Sequence, residues 1–167
     1  MSKVAIVTDS TAYLSSDLVA AYNITVVPLV VIWGNETYRD NVDIKPDQFY
    51  QRLSTTKIMP STSQATIQGF VDVFTKLHAS GYEILTVVIS SALSGTLDSA
   101  IQAKTMLPEA TIELVDSQNT SMTLAFMALS AARAAKQGAS LEECKKIIEL
   151  IRDHTEVFFA VDTLEFL

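Results

Sequence analysis

Apolar residues in this chain come in short runs, separated by segments rich in hydroxyls and turn formers. Val4-Ala5-Ile6-Val7 predicts a strand that ends at Thr8-Asp9-Ser10-Thr11, all turn or cap formers. Ser15-Ser16-Asp17 predicts the cap of a short helix to Tyr22, with Asn23 as its stop. The next run holds Val26, Val27, Leu29, Val30, Val31 and Ile32. Pro28 cannot donate to a ladder, so this strand is expected at an edge or broken at that residue. Gly34-Asn35 predicts a turn, and Glu36-Thr37-Tyr38-Arg39-Asp40 a short returning strand. Asp43, followed by Pro46, predicts the opening of a helix that reaches about Leu53.

Downstream, Ser54 to Gln64 reads as a hydroxyl-rich loop. Beyond it, Ile67, Phe70, Val71, Phe74 and Leu77 fall on one helical face, with Gly81 past its end. Ile84 to Ile89 predicts a buried strand. Ser90-Ser91-Ala92-Leu93-Ser94-Gly95-Thr96 then hands over to a helix from Leu97 to Lys104. Thr111 to Val115 is a further strand, closed by Asp116-Ser117-Gln118-Asn119-Thr120. An Ala-rich helix runs to Gln137 and stops at Gly138. Ser140 caps another helix, with Glu143 as its capping-box partner. Val157 to Val161 is the last expected strand. Strands separated by helices, each a run rather than an alternation, predict an α/β fold with a mainly parallel sheet and helices on both faces.

A length of 167 residues, 49% of them hydrophobic and 19% charged, describes one globular domain. Net charge is −7 with no block of Lys or Arg, so nucleic acids and anionic membrane surfaces are poor partners. The single Cys144 shares a helical face with Leu141, Ile148 and Ile151 and reads as a core residue. No run is long enough to span a bilayer, and the N-terminus lacks a leader's apolar core. A reducing compartment is expected, most simply the cytoplasm. The chain ends on Asp162-Thr163-Leu164-Glu165-Phe166-Leu167, an apolar finish that suggests the front part of a longer protein.

The chemistry lies in the polar loops at strand ends. In an open parallel sheet, ligands bind beyond the carboxyl ends of the strands. Convergence of Thr8 to Thr11, Ser61 to Gln64, Ser90 to Thr96 and Asp116 to Gln118 there gives a small site rich in neutral donors. Ser94 and Thr96 sit at a helix start, where free N–H groups and the dipole favour an anion, and where either hydroxyl also serves as a plain cap. There is no glycine-rich phosphate loop ending in Gly-Lys and no three-glycine dinucleotide fingerprint. His78 and His154 stand alone at expected helix C-termini, so no metal site is predicted. Leu93-Ser94-Gly95 is not a hydrolase elbow, and Asp9 and Asp116 read first as turn or cap residues.

Taken as an ordered set, Thr8-Asp9-Ser10-Thr11, Pro60-Ser61-Thr62-Ser63-Gln64, Ser90 to Thr96, Asp116-Ser117 and Asp162 to Leu167 resemble the DegV family of bacterial fatty-acid-binding proteins. The resemblance implies a long-chain fatty acid whose carboxylate meets Thr62 and Ser94, with Ser63 and Gly95 lining the same corner. Ser10, Thr96 and Ser117 are implied as supporting residues. It implies no catalytic residue, no metal and no cofactor, and a possible hand-over of the bound acid to a separate fatty-acid kinase. It also implies that residues 1–167 form the family's N-terminal α/β domain, and that the second domain, which walls the acyl tunnel, is absent. Apolar residues meant for that second domain would then be exposed and favour self-association. The rival class is an enzyme on a related α/β fold, a serine hydrolase using Ser94 or a phosphotransferase-like protein. A third reading is a regulatory half-protein with an incomplete site.

Overall fold

The computed structural model describes residues 3–158 and residue 160. Strand β1 (Lys3–Asp9) is the centre of the molecule. It pairs in parallel with β2 (Thr25–Val27) on one side and β6 (Tyr82–Val88) on the other, and β7 (Ile112–Asp116) extends the sheet beyond β6 in the same sense. The order is β2-β1-β6-β7. Run-like hydrophobicity has its reason here, because both faces are covered. Ile6, Leu85 and Val87 face one core, with Leu124, Ala128, Cys144 and Ile148. Val7, Ile84 and Val88 face the other, with Phe70, Phe74, Ala100 and Ala103.

Helices α1 (Ser16–Tyr22), α5 (Ser121–Lys136) and α6 (Leu141–Arg152) contribute to the first core. Helices α3 (Ile67–Ala79) and α4 (Thr96–Thr105) cover the second. Their ends follow the local chemistry. The Ser15 hydroxyl accepts from Leu18 N–H and Asn23 closes α1 at φ 51°. Ser140 and Glu143 form the expected capping box. Gly138, at φ 93°, turns the chain out of α5 in a conformation that favours glycine. Cys144 is fully buried and donates to Ala131 O, a core residue as its helical face predicted.

A second sheet, antiparallel and smaller, lies beside the first. Pro28 breaks the long apolar run into β2 and β3 (Val30–Trp33), which belong to different sheets. Strand β3 forms a hairpin with β4 (Glu36–Arg39) about Gly34-Asn35 and also pairs with β5 (Ser61–Ser63). Its buried side rests on α2 (Pro46–Leu53): Val31, Trp33 and Ile44 form a small core with Phe49 and Leu53. The Arg52 guanidinium lies 4.5 Å from the Trp33 ring centre, and Trp33 Nε1–H donates to Ile58 O at 2.7 Å.

Three expectations are corrected. Ser61 to Ser63, read as loop, is a strand. Three exposed polar residues carry no hydrophobic pattern, and pairing to β3 makes them extended. Asp43 does not open α2; its carboxylate clips the Arg39 guanidinium and backbone N–H. Val157, Phe158 and Ala160 are not in a strand, and the rest of that expected strand lies outside the described residues, as does Asp162 to Leu167.

Candidate functional site

The two sheets meet at the carboxyl ends of β1 and β6, and a half-open cavity of about 420 Å³ lies between them. Its polar wall comes from Thr62, Ser63 and Gln64 on one side and Ser94 and Gly95 on the other. Its apolar wall includes Leu29, Val31, Phe49, Ile89 and Leu93. Position follows from local folding. The β3–β5 register sets Thr62 opposite Val31, and the turn after β6 sets Ser94 in front of α4.

That turn is held by its own hydroxyls. Leu93 and Ser94 N–H donate to Ser90 O, and Ala92 N–H donates to the Ser90 hydroxyl. Asp116 accepts from Ser91, through both its N–H and its hydroxyl. Ser90 and Ser91 are therefore spent on the turn. Ser94 faces the cavity, 2.9 Å from the Thr96 hydroxyl, and accepts from Thr96 N–H at 3.3 Å. Gly95, the residue before α4, brings no capping side chain. A Cβ there would come within 3.1 Å of the Gln64 carboxamide, so the two walls approach closely at this point. The Thr62 and Ser63 hydroxyls have no hydrogen-bond partner among the described residues, and both residues are exposed.

The other expected residues stand behind the wall. The Ser10 hydroxyl accepts from Leu29 N–H at 3.1 Å and is buried. Thr96 is fully buried and accepts from Ala65 N–H at 3.3 Å. Ser117 shapes its own loop by bonding Asn119. Within the first polar loop Thr11, rather than Ser10, lines the cavity.

The carboxylate of Asp9 ties the floor together. It accepts from Thr11 N–H at 2.9 Å, from the Thr11 hydroxyl at 2.6 Å and from Ile89 N–H at 2.7 Å. Burial pushes this carboxyl above its ordinary range, although the three donors pull the other way; Asp40 raises it further. Burial also raises the Tyr13 phenol, helped by Asp40 and Tyr50. Among the described residues the lining carries one carboxylate, Asp40, and no cation. An anion here is met by neutral donors and the N-terminus of α4, not by a countercharge.

Sequence reasoning missed Tyr13, Tyr50 and Asp40 at the mouth. Tyr13 holds φ 48°, a left-handed conformation uncommon for a large side chain, and nothing in its sequence neighbourhood signals that. The period of α2 offered the one available clue to Tyr50, which follows Phe49 on the edge of the helix toward the cavity.

An open parallel sheet with a hydroxyl-lined cavity at its carboxyl ends places the chain in the class of α/β domains whose crevice lies beyond the strand ends. The chain belongs to the DegV family: the family model ("Uncharacterised protein, DegV family") matches residues 3–167. A DegV domain-containing protein of Listeria innocua is 40% identical over 166 residues, covering 99% of this chain and 59% of that protein. One from Clostridium perfringens is 35% identical over 165 residues, with the same coverage of each. The chain thus spans about three-fifths of the length of the curated relatives it matches.

Among solved structures, the fatty-acid-binding DegV of Bacillus subtilis superposes with a TM-score of 0.84 at 31% identity, over 92% of this chain and 55% of that one. A stearic-acid-binding protein of Eubacterium ventriosum gives 0.80 at 32% identity, over 89% and 52%. The fatty-acid-binding DegV protein of Thermus thermophilus gives 0.82 at 32%, over 90% and 54%. Among the described residues no helix is long and apolar enough to cross a membrane.

Proposed function

We propose that this chain is the carboxylate-holding part of a fatty-acid-binding protein. The observation that carries the reading is one cavity lined both by the Thr62, Ser63 and Ser94 hydroxyls and by the apolar side chains of Leu29, Val31, Ile89 and Leu93. An amphiphile with a small anionic head fits such a division. The head accepts hydrogen bonds from Thr62 and Ser94 near the start of α4, with Ser63 and Gly95 lining the same corner. Each charge-assisted bond contributes about 1.5–3 kcal/mol. The acyl chain lies along Leu29, Val31, Ile89 and Leu93 and contributes about 0.8 kcal/mol per buried methylene. The solved relatives above, named for fatty-acid binding, support the same reading.

In the whole protein a second domain closes the open side of the cavity and walls the rest of the acyl tunnel. The Ser94 hydroxyl acts as a donor and not as a nucleophile: its partner is the Thr96 hydroxyl, which is no base. The protein works in the cytoplasm as a carrier without turnover and presents the bound acid to a separate fatty-acid kinase.

Mass spectrometry of an organic extract of the bacterially expressed protein tests the reading, followed by titration of the delipidated protein with hexadecanoate. Co-purified saturated or mono-unsaturated acids and saturable binding are expected. Absence of both, from this chain and from the chain carried on to the length of its relatives, sinks it.

A further inference from the structure

Thr96 is fully buried at the first position of α4, and its hydroxyl is the point where the two polar walls are joined. It accepts from Ala65 N–H at 3.3 Å, and Ala65 directly follows Thr62-Ser63-Gln64. It also lies 2.9 Å from the Ser94 hydroxyl. A hydroxyl has one proton and two lone pairs. Among the described residues the Ser94 hydroxyl is the one acceptor within reach of the buried Thr96 proton, so the arrangement that leaves no buried proton unpaired has Thr96 donating to Ser94. Ser94 then accepts twice, from the Thr96 hydroxyl and from Thr96 N–H at 3.3 Å. Both of its lone pairs are filled. What Ser94 then has left is its own proton, and Ser94 lines the cavity.

We propose that Thr96 is a positioning residue that makes Ser94 an obligate donor and locks its turn against the Thr62–Gln64 segment, so that the cavity selects an ionised, acceptor-only head group. The proposal rests on the fatty-acid reading of this cavity and adds a cause for its head-group selectivity. An ionised carboxylate only accepts, and the bond to it is charge-assisted; a methyl ester accepts more weakly, and an alcohol brings a donor of its own.

The test compares the affinity of hexadecanoate with that of its methyl ester in wild type, Thr96→Val and Thr96→Ser. Wild type is expected to prefer the acid by about tenfold or more, as two charge-assisted bonds imply. Thr96→Val keeps the branched shape and removes the hydroxyl. It is expected to bring acid and ester severalfold closer while ester affinity stays near wild type, which a general loss of packing would not do. Thr96→Ser is expected to retain the preference.

A full acid preference in folded Thr96→Val overturns the proposal. So does loss of the preference in folded Thr96→Ser, which remains decisive if the valine variant does not fold. Parity of acid and ester in wild type removes the carboxylate reading itself, and the role of Thr96 with it. A wild-type preference that survives Thr96→Val removes only the role of Thr96.

Discussion

In the proposed site, Ser94 and Thr62 each offer the carboxylate one proton. Replacing Ser94 by Ala, or Thr62 by Val, removes a donor to the carboxylate and leaves the apolar wall in place. Each change is expected to weaken hexadecanoate binding by about 1.5–3 kcal/mol, or roughly ten- to a hundredfold in Kd. Calorimetric titration checks this; apo Thr62→Val is expected to melt close to wild type, whereas Ser94→Ala also leaves the buried Thr96 hydroxyl without its partner and is expected to melt lower. Sequence placed both on hydroxyl-rich segments and the family resemblance picked them out, and both line the cavity. Tyr13 and Asp40 were not legible, because they reach the mouth through a left-handed backbone and an irregular turn rather than a repeating pattern.

Asp9 gives the residue scale its pH dependence. Its carboxyl is raised above the ordinary value of 3.8 in the folded protein, mainly by burial. A folded-state pKa above the unfolded one means the native state holds the proton more tightly. The stability linked to it is therefore full below about 3.8 and is lost as pH rises through the folded value. The difference in urea midpoint between wild type and Asp9→Asn is expected to shift in favour of wild type as pH falls from neutrality. A shift the other way contradicts the burial argument. Sequence read Asp9 as a turn former, and it does cap the turn at Ser10–Ala12. Its bond to Ile89 N–H, across from β1 to the end of β6, depends on strand pairing that no local pattern encodes.

Among the elements, β6 carries a defect that makes a prediction. The Thr86 hydroxyl is fully buried and has no hydrogen-bond partner among the described residues. An orphaned buried hydroxyl costs about 1–3 kcal/mol, and valine keeps the β-branched shape the strand favours. Thr86→Val is expected to stabilise the fold by about 1 kcal/mol, read as a higher urea midpoint with an unchanged slope. The small sheet makes another. Trp33 Nε1–H holds Ile58 O just ahead of β5, and Arg52 stacks on the same ring. Trp33→Phe is expected to cost about 1 kcal/mol of stability and to loosen β5, so that ligand affinity falls although the changed residue does not line the cavity.

The parallel sheet was legible as elements because runs of Val, Ile and Leu announce strands buried on both faces. The small sheet was only half legible. Its hairpin has a turn signal in Gly34-Asn35, whereas β5 is Ser-Thr-Ser with all three residues exposed. Strand β5 exists because β3 offers it a partner, and that partner lies far away in sequence.

At the scale of the whole molecule, the two sheets act as the jaws of a single cavity. Parallel strands deliver Ser94, Gly95 and Thr11 to one jaw, and the antiparallel sheet delivers Thr62 and Ser63 to the other. Leu93, 63% exposed, stands at the rim with Tyr13 and Tyr50. An acyl chain or a covering domain would remove this apolar surface from water. A ligand that binds only the folded state raises its stability by RT ln(1 + [L]/Kd), about 2.7 kcal/mol at a hundredfold excess over Kd. Hexadecanoate is therefore expected to raise the melting temperature in a concentration-dependent way, and the rise is expected to shrink in Ser94→Ala.

A crystal structure of the protein with bound hexadecanoate tests the central claim most directly. Elongated density is expected to begin at a carboxylate within hydrogen-bond reach of the Thr62 and Ser94 hydroxyls and to run along Leu29 and Ile89. A carboxylate that lies outside the cavity, or that enters with its methyl end against Ser94, contradicts the account.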